Sequence, residues 1–539
     1  MKKGVIILLI IFLLFGFVGC KNDEKETISQ FDVDNVNELI ELIPDEITES
    51  NRELIETIRA QYDKLNDLEK ALIVNYEKLE YAESVLKSID EENARIEAET
   101  KRIKTILEGY EEELDEVIPE KVNDNIELPS EFEAEEGRII VIWKTSDPFT
   151  FSHSGVVIPG RKDIEVNITT ELRYVPEDPT LPRDVVHVYQ QKVIVEALEF
   201  EPLPEKDIVF AYAYNGNGFN DLAIETIDVV NHAFSSVVNG TVSVGGSGRS
   251  QLLELRKKGV RVSLCIGGYK EGSIPFSEAA STELGRLKLA QSIVQAIEKY
   301  HFDGVDIDWE YPGYDAAPGI SAEQDKQNYT AFIQVLRRLV KNANEDYLVT
   351  AAIPGGPYNT PRFELGKLNN YLDYFLVMTY DLHAQTHTSH HTALHPSSFT
   401  SGGCSISETI KYYTDRNVSK EKIVVGAAFY GRLFEKKYEG NPLPYPSGVA
   451  EYRSSINYKH IKDNYLSKIE TGEVIRFWDD QAKAPYVYNK VTNVFITYDD
   501  PESIRYKIEY IKDEGLAGIM FWEFSQDNGE LLGAINEHM

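Results

Sequence analysis

The chain has 539 residues, 42% of them hydrophobic and 11% aromatic, and a formal net charge of −34. It exceeds the roughly 250 to 300 residues at which one core stops growing, so several domains are expected. Such acidity argues against nucleic acid, whose phosphates need a basic face, and leaves neutral ligands such as sugar polymers open.

In "MKKGVIILLIIFLLFGFVGC" the cations Lys2 and Lys3 precede an apolar run shorter than the ~20 residues that span a bilayer. Residues 1–20 therefore read as a signal peptide. Their end, "FVGC", resembles the lipobox of bacterial lipoproteins, with Phe17 where Leu is more usual. The resemblance implies acylation of Cys20 and a protein anchored in the cell membrane, facing outward. Of the 3 Cys, Cys265 and Cys404 remain, too few for a disulfide scaffold. Cys265, inside "VRVSLCIGG", reads as a buried small hydrophobe.

Residues 21–122 read as a helical module: apolar residues such as Leu54, Ile55, Ile58, Tyr62 and Leu65 recur at spacings of three and four. "TESNRELIETIRAQYDKLNDLEKALIVNYEKLEYAE" resembles small helical modules of Gram-positive surface proteins. Ile103, Leu107, Tyr110, Leu114 and Val117 alternate spacings of four and three, too briefly for a sustained coiled coil, so packing within the chain is expected. Over 123–200 the period becomes strand-like, and "IELPSEFEAEEGRIIVIWKTSDPFTFSHSGVVIPG" resembles bacterial immunoglobulin-like repeats, an all-β sandwich with Trp143 in its core. Neither module carries a reactive constellation, and both read as spacers.

From residue 206 to 539, apolar strand-like runs alternate with helical patterns: "DIVFAYAY", "DVVNHAFSS", "VRVSLCIGG", "FDGVDIDWE", "YLVTAAIP", "YFLVMTYD", "KIVVGAAFYG" and "GLAGIMFWEFS". Eight such βα units predict an α/β (TIM) barrel, with the chemistry at the carboxyl ends of its strands. In "FDGVDIDWEYPG", Asp306, Asp308 and Glu310 share one strand face while Val305, Ile307 and Trp309 take the other. The acid face then points into the barrel and climbs to the rim, ending on Glu310. Neighbouring buried carboxylates cannot all ionise cheaply, so protons are shared and the last group is kept as an acid near neutral pH. A proton donor is what cleavage of a glycosidic bond requires.

"DGVDIDWEYPG" resembles the DxxDxDxE signature of family-18 glycoside hydrolases, the chitinase family. The resemblance extends through "IGGY", "MTYD", "AFYGR", "WDDQAKAPYVY", "FITYDDPESI" and "GIMFWEFSQD", with a small α+β insertion over about 433–495. It implies hydrolysis of β-1,4 bonds in N-acetylglucosamine polymers without an enzymatic nucleophile: Glu310 protonates the leaving oxygen and the substrate's own acetamido oxygen attacks. It further implies that Asp308 orients the acetamido group, Asp306 shares its proton and Tyr380 donates to the acetamido oxygen. Met378 and Asp381 would line the same subsite, with Trp522 as the floor under the sugar. Gly268, Tyr269, Tyr311, Tyr430 and Arg432 match positions that contact the sugar chain. Cys265 stands where the family usually has Ser, and Tyr269 where Trp is common.

"DLHAQTHTSHHTALH" holds His383, His387, His390, His391 and His395. Such spacing can bind zinc, yet no companion Cys or carboxylate pattern closes a site, so the run reads as a rim loop. No metal and no cofactor are expected, and the protein is expected to be a monomer. The reading is an endo-acting chitinase. An endo-β-N-acetylglucosaminidase or peptidoglycan hydrolase with the same mechanism, and a non-catalytic N-acetylglucosamine-binding adhesin, are the alternatives.

Overall fold

A computed structural model describes residues 28–214, 216–269, 273–382, 388–400, 404–435 and 451–539. Cys20, His383 and His387 lie outside these residues. By its contacts the chain divides into two units, residues 1–111 with 130–141 and 172–187, and residues 112–129 with 142–171 and 188–539.

The first unit contains α1 (Gln30–Glu41), α2 (Arg52–Tyr62), α3 (Asp67–Lys70) and α4 (Tyr76–Glu108). Their three-and-four spacing places Val36, Ile40, Ile55, Ile58, Leu79, Ala82 and Leu86 in one shared core. The helix breaks at Gly109 and Tyr110, and α5 resumes at Glu111–Val117, so the stretch from Ile103 to Val117 is not one continuous heptad helix.

The next strands are β1 (Lys121–Val122), β2 (Glu131–Ala134), β3 (Gly137–Thr145), β4 (Ile164–Pro176) and β5 (Val186–Val195). They form one sheet in the order β1-β5-β4-β3-β2. The expected sandwich has two sheets, whereas here all five strands are joined by hydrogen bonds into one. Ile139, Val141 and Trp143 alternate inward along β3, and the Trp143 indole donates to the Pro129 carbonyl at 2.8 Å.

In the second unit the eight expected runs form β6 (Ile208–Ala213), β7 (Val229–Val238), β9 (Arg261–Tyr269), β10 (Gly304–Glu310), β11 (Leu348–Pro354), β12 (Tyr374–Met378), β13 (Ile423–Ala428) and β19 (Gly518–Trp522). A short β8 (Thr241–Ser243) folds back on β7. The parallel order β6-β19-β13-β12-β11-β10-β9-β7 closes because β6 also pairs with β7. Phe210, Tyr212, Cys265, Leu376 and Met520 fill the interior. Val305, Ile307 and Trp309 face outward, where Phe332, Ile333 and Leu336 of the amphipathic helix Ala322–Ala343 share their core.

Between β13 and β19 lies an antiparallel sheet of β14 (Tyr430–Glu435), β15 (Glu451–Asn457), β16 (Val474–Asp479), β17 (Ala484–Asn489) and β18 (Val494–Thr497), with a helix at Tyr458–Asn464. This insertion runs a few residues beyond 433–495 at each end because its first and last strands pair with each other, Arg432 opposite Thr497.

Asp303, the first carboxylate of the signature, does not join the others. It sits before β10, where Arg256 donates from Nε at 2.8 Å and from Nη2 at 2.9 Å. Both side chains are buried, and the third nitrogen, Nη1, reaches the Pro159 carbonyl at 2.5 Å. Nearby, the Thr150 hydroxyl meets His301 Nε2 at 2.8 Å and Phe149 packs edge-on to Tyr300. Within this unit, then, segment 149–159 is pinned to the amino-terminal end of the barrel and does more than space it. Breaking a buried pair leaves an uncompensated charge, at a cost of about 3–5 kcal/mol. Asp303→Asn is expected to lower the barrel's melting temperature by ~5 °C or more, read by calorimetry; an unchanged transition would show that the pair holds nothing.

Candidate active site

Alternation along β10 places Asp306, Asp308 and Glu310 on the lumen side, at rising height. Asp306 is fully buried beneath the cleft. It accepts from the Tyr212 hydroxyl at 2.7 Å, the Thr350 hydroxyl at 2.7 Å and the Cys265 thiol at 3.4 Å. Burial pushes its carboxyl up, and these three donors work against that rise. Asp308 has no such shell: among the described residues its Oδ1 has no hydrogen-bond partner. Burial, reinforced by Glu310 and Asp306, raises it well above the usual carboxylate range. Burial also pushes Glu310 up to about 7, with Asp381 adding to the rise while Tyr311 and Asp308 oppose it. The ladder therefore holds protons at neutral pH, and its top group can release one.

The neighbouring strand makes room for this. Gly267 and Gly268 of "IGGY" have φ of 125° and 98°, which side chains rarely adopt. A Cβ on Gly267 would lie 2.1 Å from the Asp308 carbonyl oxygen, and one on Gly268 would lie 2.9 Å from the Phe234 ring. Below the end of β10, the Ser273 hydroxyl donates to the Glu310 carbonyl at 2.7 Å. The buried Asp325 accepts from Ser277 and from the Gly313 amide, fixing the turn that carries Tyr311.

A cleft of about 1230 Å³ opens over the ladder. Asp308, Glu310 and Tyr380 line it, whereas Asp306 does not reach it. Gly268, Tyr269, Tyr311, Met378, Asp381, Tyr430, Arg432 and Trp522 all line it as well, brought from the ends of four barrel strands, β9, β10, β12 and β19, and from β14. The Tyr380 hydroxyl faces the Met520 sulfur at 3.8 Å, and its ring meets Tyr430 edge-on. Trp522, the last residue of β19, stacks on Phe234 at 5.6 Å and touches Tyr212 and Tyr214. Asp381 is held by the Tyr430 hydroxyl at 2.8 Å and by Arg432 through both Nε and Nη2. Although burial works to raise it, His391 and Arg432 keep the Asp381 carboxyl far below its ordinary range. Of the three carboxylates on the cleft wall, Asp381 is thus bound to a cation, and Asp308 and Glu310 are the two free to exchange protons.

Residues 208–527 match the family described as Glycosyl hydrolases family 18. The chain belongs to that family. It is 33% identical over 293 residues to Chitinase A1 of Niallia circulans, a match that covers 51% of this chain and only 41% of that protein's length. It is 29% identical to Chitinase B of Serratia marcescens, over 62% of this chain and 79% of that one. Among solved structures, a glycoside hydrolase family 18 N-acetylglucosaminidase from Paenibacillus barengoltzii aligns with a TM-score of 0.57 at 32% identity, covering 62% of this chain and all of that one.

Within this family-18 barrel, several cleft residues escape a reading of motifs alone. Tyr214, Phe234, Tyr358 and Asn359 line the cleft, and Thr350 anchors Asp306 from β11. Phe234 stands within β7, in the quoted run "DVVNHAFSS", where an aromatic in a barrel strand was the available signal. The histidine run differs more sharply from a rim loop: His390 and His391 are completely buried. His390 pairs with Asp479 at 3.2 Å and packs on Phe399 and Tyr486, because the insertion closes over this loop.

Proposed function

We propose that this chain hydrolyses β-1,4 bonds in N-acetylglucosamine polymers, acting within the chain as an endo-chitinase, by substrate-assisted catalysis with retention of configuration. The observation that carries the reading is the single ladder of shared protons ending at Glu310 in an aromatic cleft. Glu310 delivers its proton to the leaving glycosidic oxygen. Asp381 is saturated by Arg432 and Tyr430, and the electron pair that closes on the anomeric carbon is that of the substrate's 2-acetamido oxygen, as the substrate-assisted mechanism of the family has it. Asp308, with an unpartnered oxygen among the described residues, accepts the acetamido N–H and offsets the positive charge of the oxazolinium ion. Asp306 takes up the proton shared along the ladder, and the Tyr380 hydroxyl turns from Met520 to the acetamido oxygen. Trp522 supports the apolar face of the sugar ring. Water, activated by the deprotonated Glu310, then opens the intermediate from the same face. The named relatives, two chitinases and an N-acetylglucosaminidase, support the substrate class. An adhesin has no use for a carboxyl raised to about 7 beneath its ligand.

Glu310→Gln is expected to reduce hydrolysis of chitotetraose by 10²-fold or more while leaving binding intact. In the parent, the proton-donating form of Glu310 is lost as pH rises through about 7, so kcat/KM should fall on that limb. A variant that hydrolyses at the parent rate, or a parent with flat activity to pH 9, would sink the assignment.

We further propose that Cys20 anchors the protein to the outer face of the cell membrane through acylation, placing the enzyme where soluble oligomers arrive by diffusion. Cys20→Ala should move the processed protein from the detergent-soluble membrane fraction to the medium. Detergent-dependent retention of the mature, signal-cleaved variant in the membrane would reject the anchor.

A further inference from the structure

The buried pair His390 and His391 takes no part in the chemistry above, yet it lies between the insertion and the cleft. His391 Nδ1 is 3.7 Å from Asp381 Oδ1, and its ring packs 5.4 Å from that of Tyr430. Its backbone is held from both sides: its N–H donates to the Thr497 hydroxyl of β18 at 3.2 Å, and its carbonyl accepts from the Leu382 N–H at 2.9 Å. Thr497 is the register partner of Arg432, the cation on Asp381. Asp381 itself has φ of 58°, a left-handed backbone that a non-glycine residue adopts only when its surroundings hold it there.

We infer that His391 is a positioning residue for Asp381, through which the insertion fixes the charge on the cleft wall. The groups that face it are Asp381 from the end of β12 and Tyr430 from β14, with Arg432 of β14 on the same Asp381 carboxylate. On its own loop, His390 is engaged by Asp479. The Thr392 hydroxyl receives the buried Lys507, which is paired with Asp499. A partner that favours the Asp381 carboxylate keeps it ionised in acid. Removing that partner lets Asp381 protonate at higher pH, freeing Arg432 and Tyr430 from their common acceptor.

This role rests on the hydrolase reading only for its kinetic readout, so the test is a double-mutant cycle read in two ways. His391→Asn, Asp381→Asn and the double variant are compared in kcat/KM against pH and in melting temperature against pH. With His391→Asn the acid limb of kcat/KM should move up by ~0.5 pH unit or more, at one unit per 1.36 kcal/mol. In the Asp381→Asn background the same change should move nothing. In melting, a depressed carboxylate contributes stability above its unfolded value near ~4 and loses it as pH falls through the folded value. The loss caused by His391→Asn should therefore be full at neutral pH, fade in acid, and be absent when residue 381 is already Asn. Additive effects, or a drop in rate and melting that is equal at every pH, would reduce His391 to a packing residue and overturn the inference. A parent without turnover would reject the hydrolase reading, and the melting cycle would still decide this one.

Discussion

Three carboxylates on one buried strand face cannot all be charged in a medium of low dielectric, and the rest of the barrel is arranged around that constraint. The lowest, Asp306, is surrounded by donors from three other strands, which partly offset the cost of its burial. The middle one, Asp308, lacks that shell and is pushed toward the protonated form. The top one, Glu310, is left near neutrality and faces open space. Differences in hydrogen bonding along one strand thus separate the acidities of its three carboxyls, and the last of them stands on the cleft. The glycines of "IGGY" belong to the same arrangement, because a side chain at Gly267 would strike the backbone of Asp308 and one at Gly268 would strike the Phe234 ring.

Much of this was legible in the sequence because strand periodicity is local. A period of two alone separates Asp306, Asp308 and Glu310 from Val305, Ile307 and Trp309, and eight apolar runs alternating with helical patterns suffice for the barrel. What was not legible depends on contacts between distant segments. Asp303 lies three residues before Asp306 and is written into the same motif, yet Arg256 claims it at the opposite end of the strand. Nothing in the spacing of the histidine run reveals that the insertion covers it. Its polar composition suggests solvent, while Asp479 and Thr497, roughly a hundred residues later, supply the partners that make burial affordable. Likewise the alternation in 123–200 is compatible with one sheet or two, since pairing partners and not periodicity decide how many layers form.

The two ends of the barrel carry different kinds of charge. At the amino-terminal end the ion pair is buried and closed, and it pins segment 149–159 against the strands. At the carboxyl end Asp381 is held by Arg432 and Tyr430 of the insertion, and that same negative charge helps keep Glu310 protonated. Exchangeable protons are thus confined to the carboxyl end, while the buried ion pair at the amino-terminal end holds structure.

In the proposed mechanism the protein supplies the acid and the substrate supplies the nucleophile. The most direct measurement compares initial rates on N-acetylglucosamine oligomers and on fully deacetylated oligomers of equal length, at a pH below 7 where Glu310 is protonated. Cleavage of the first and none of the second is expected, because removal of the acetyl group removes the attacking oxygen. Efficient cleavage of the deacetylated oligomers would contradict it and require a nucleophile from the protein.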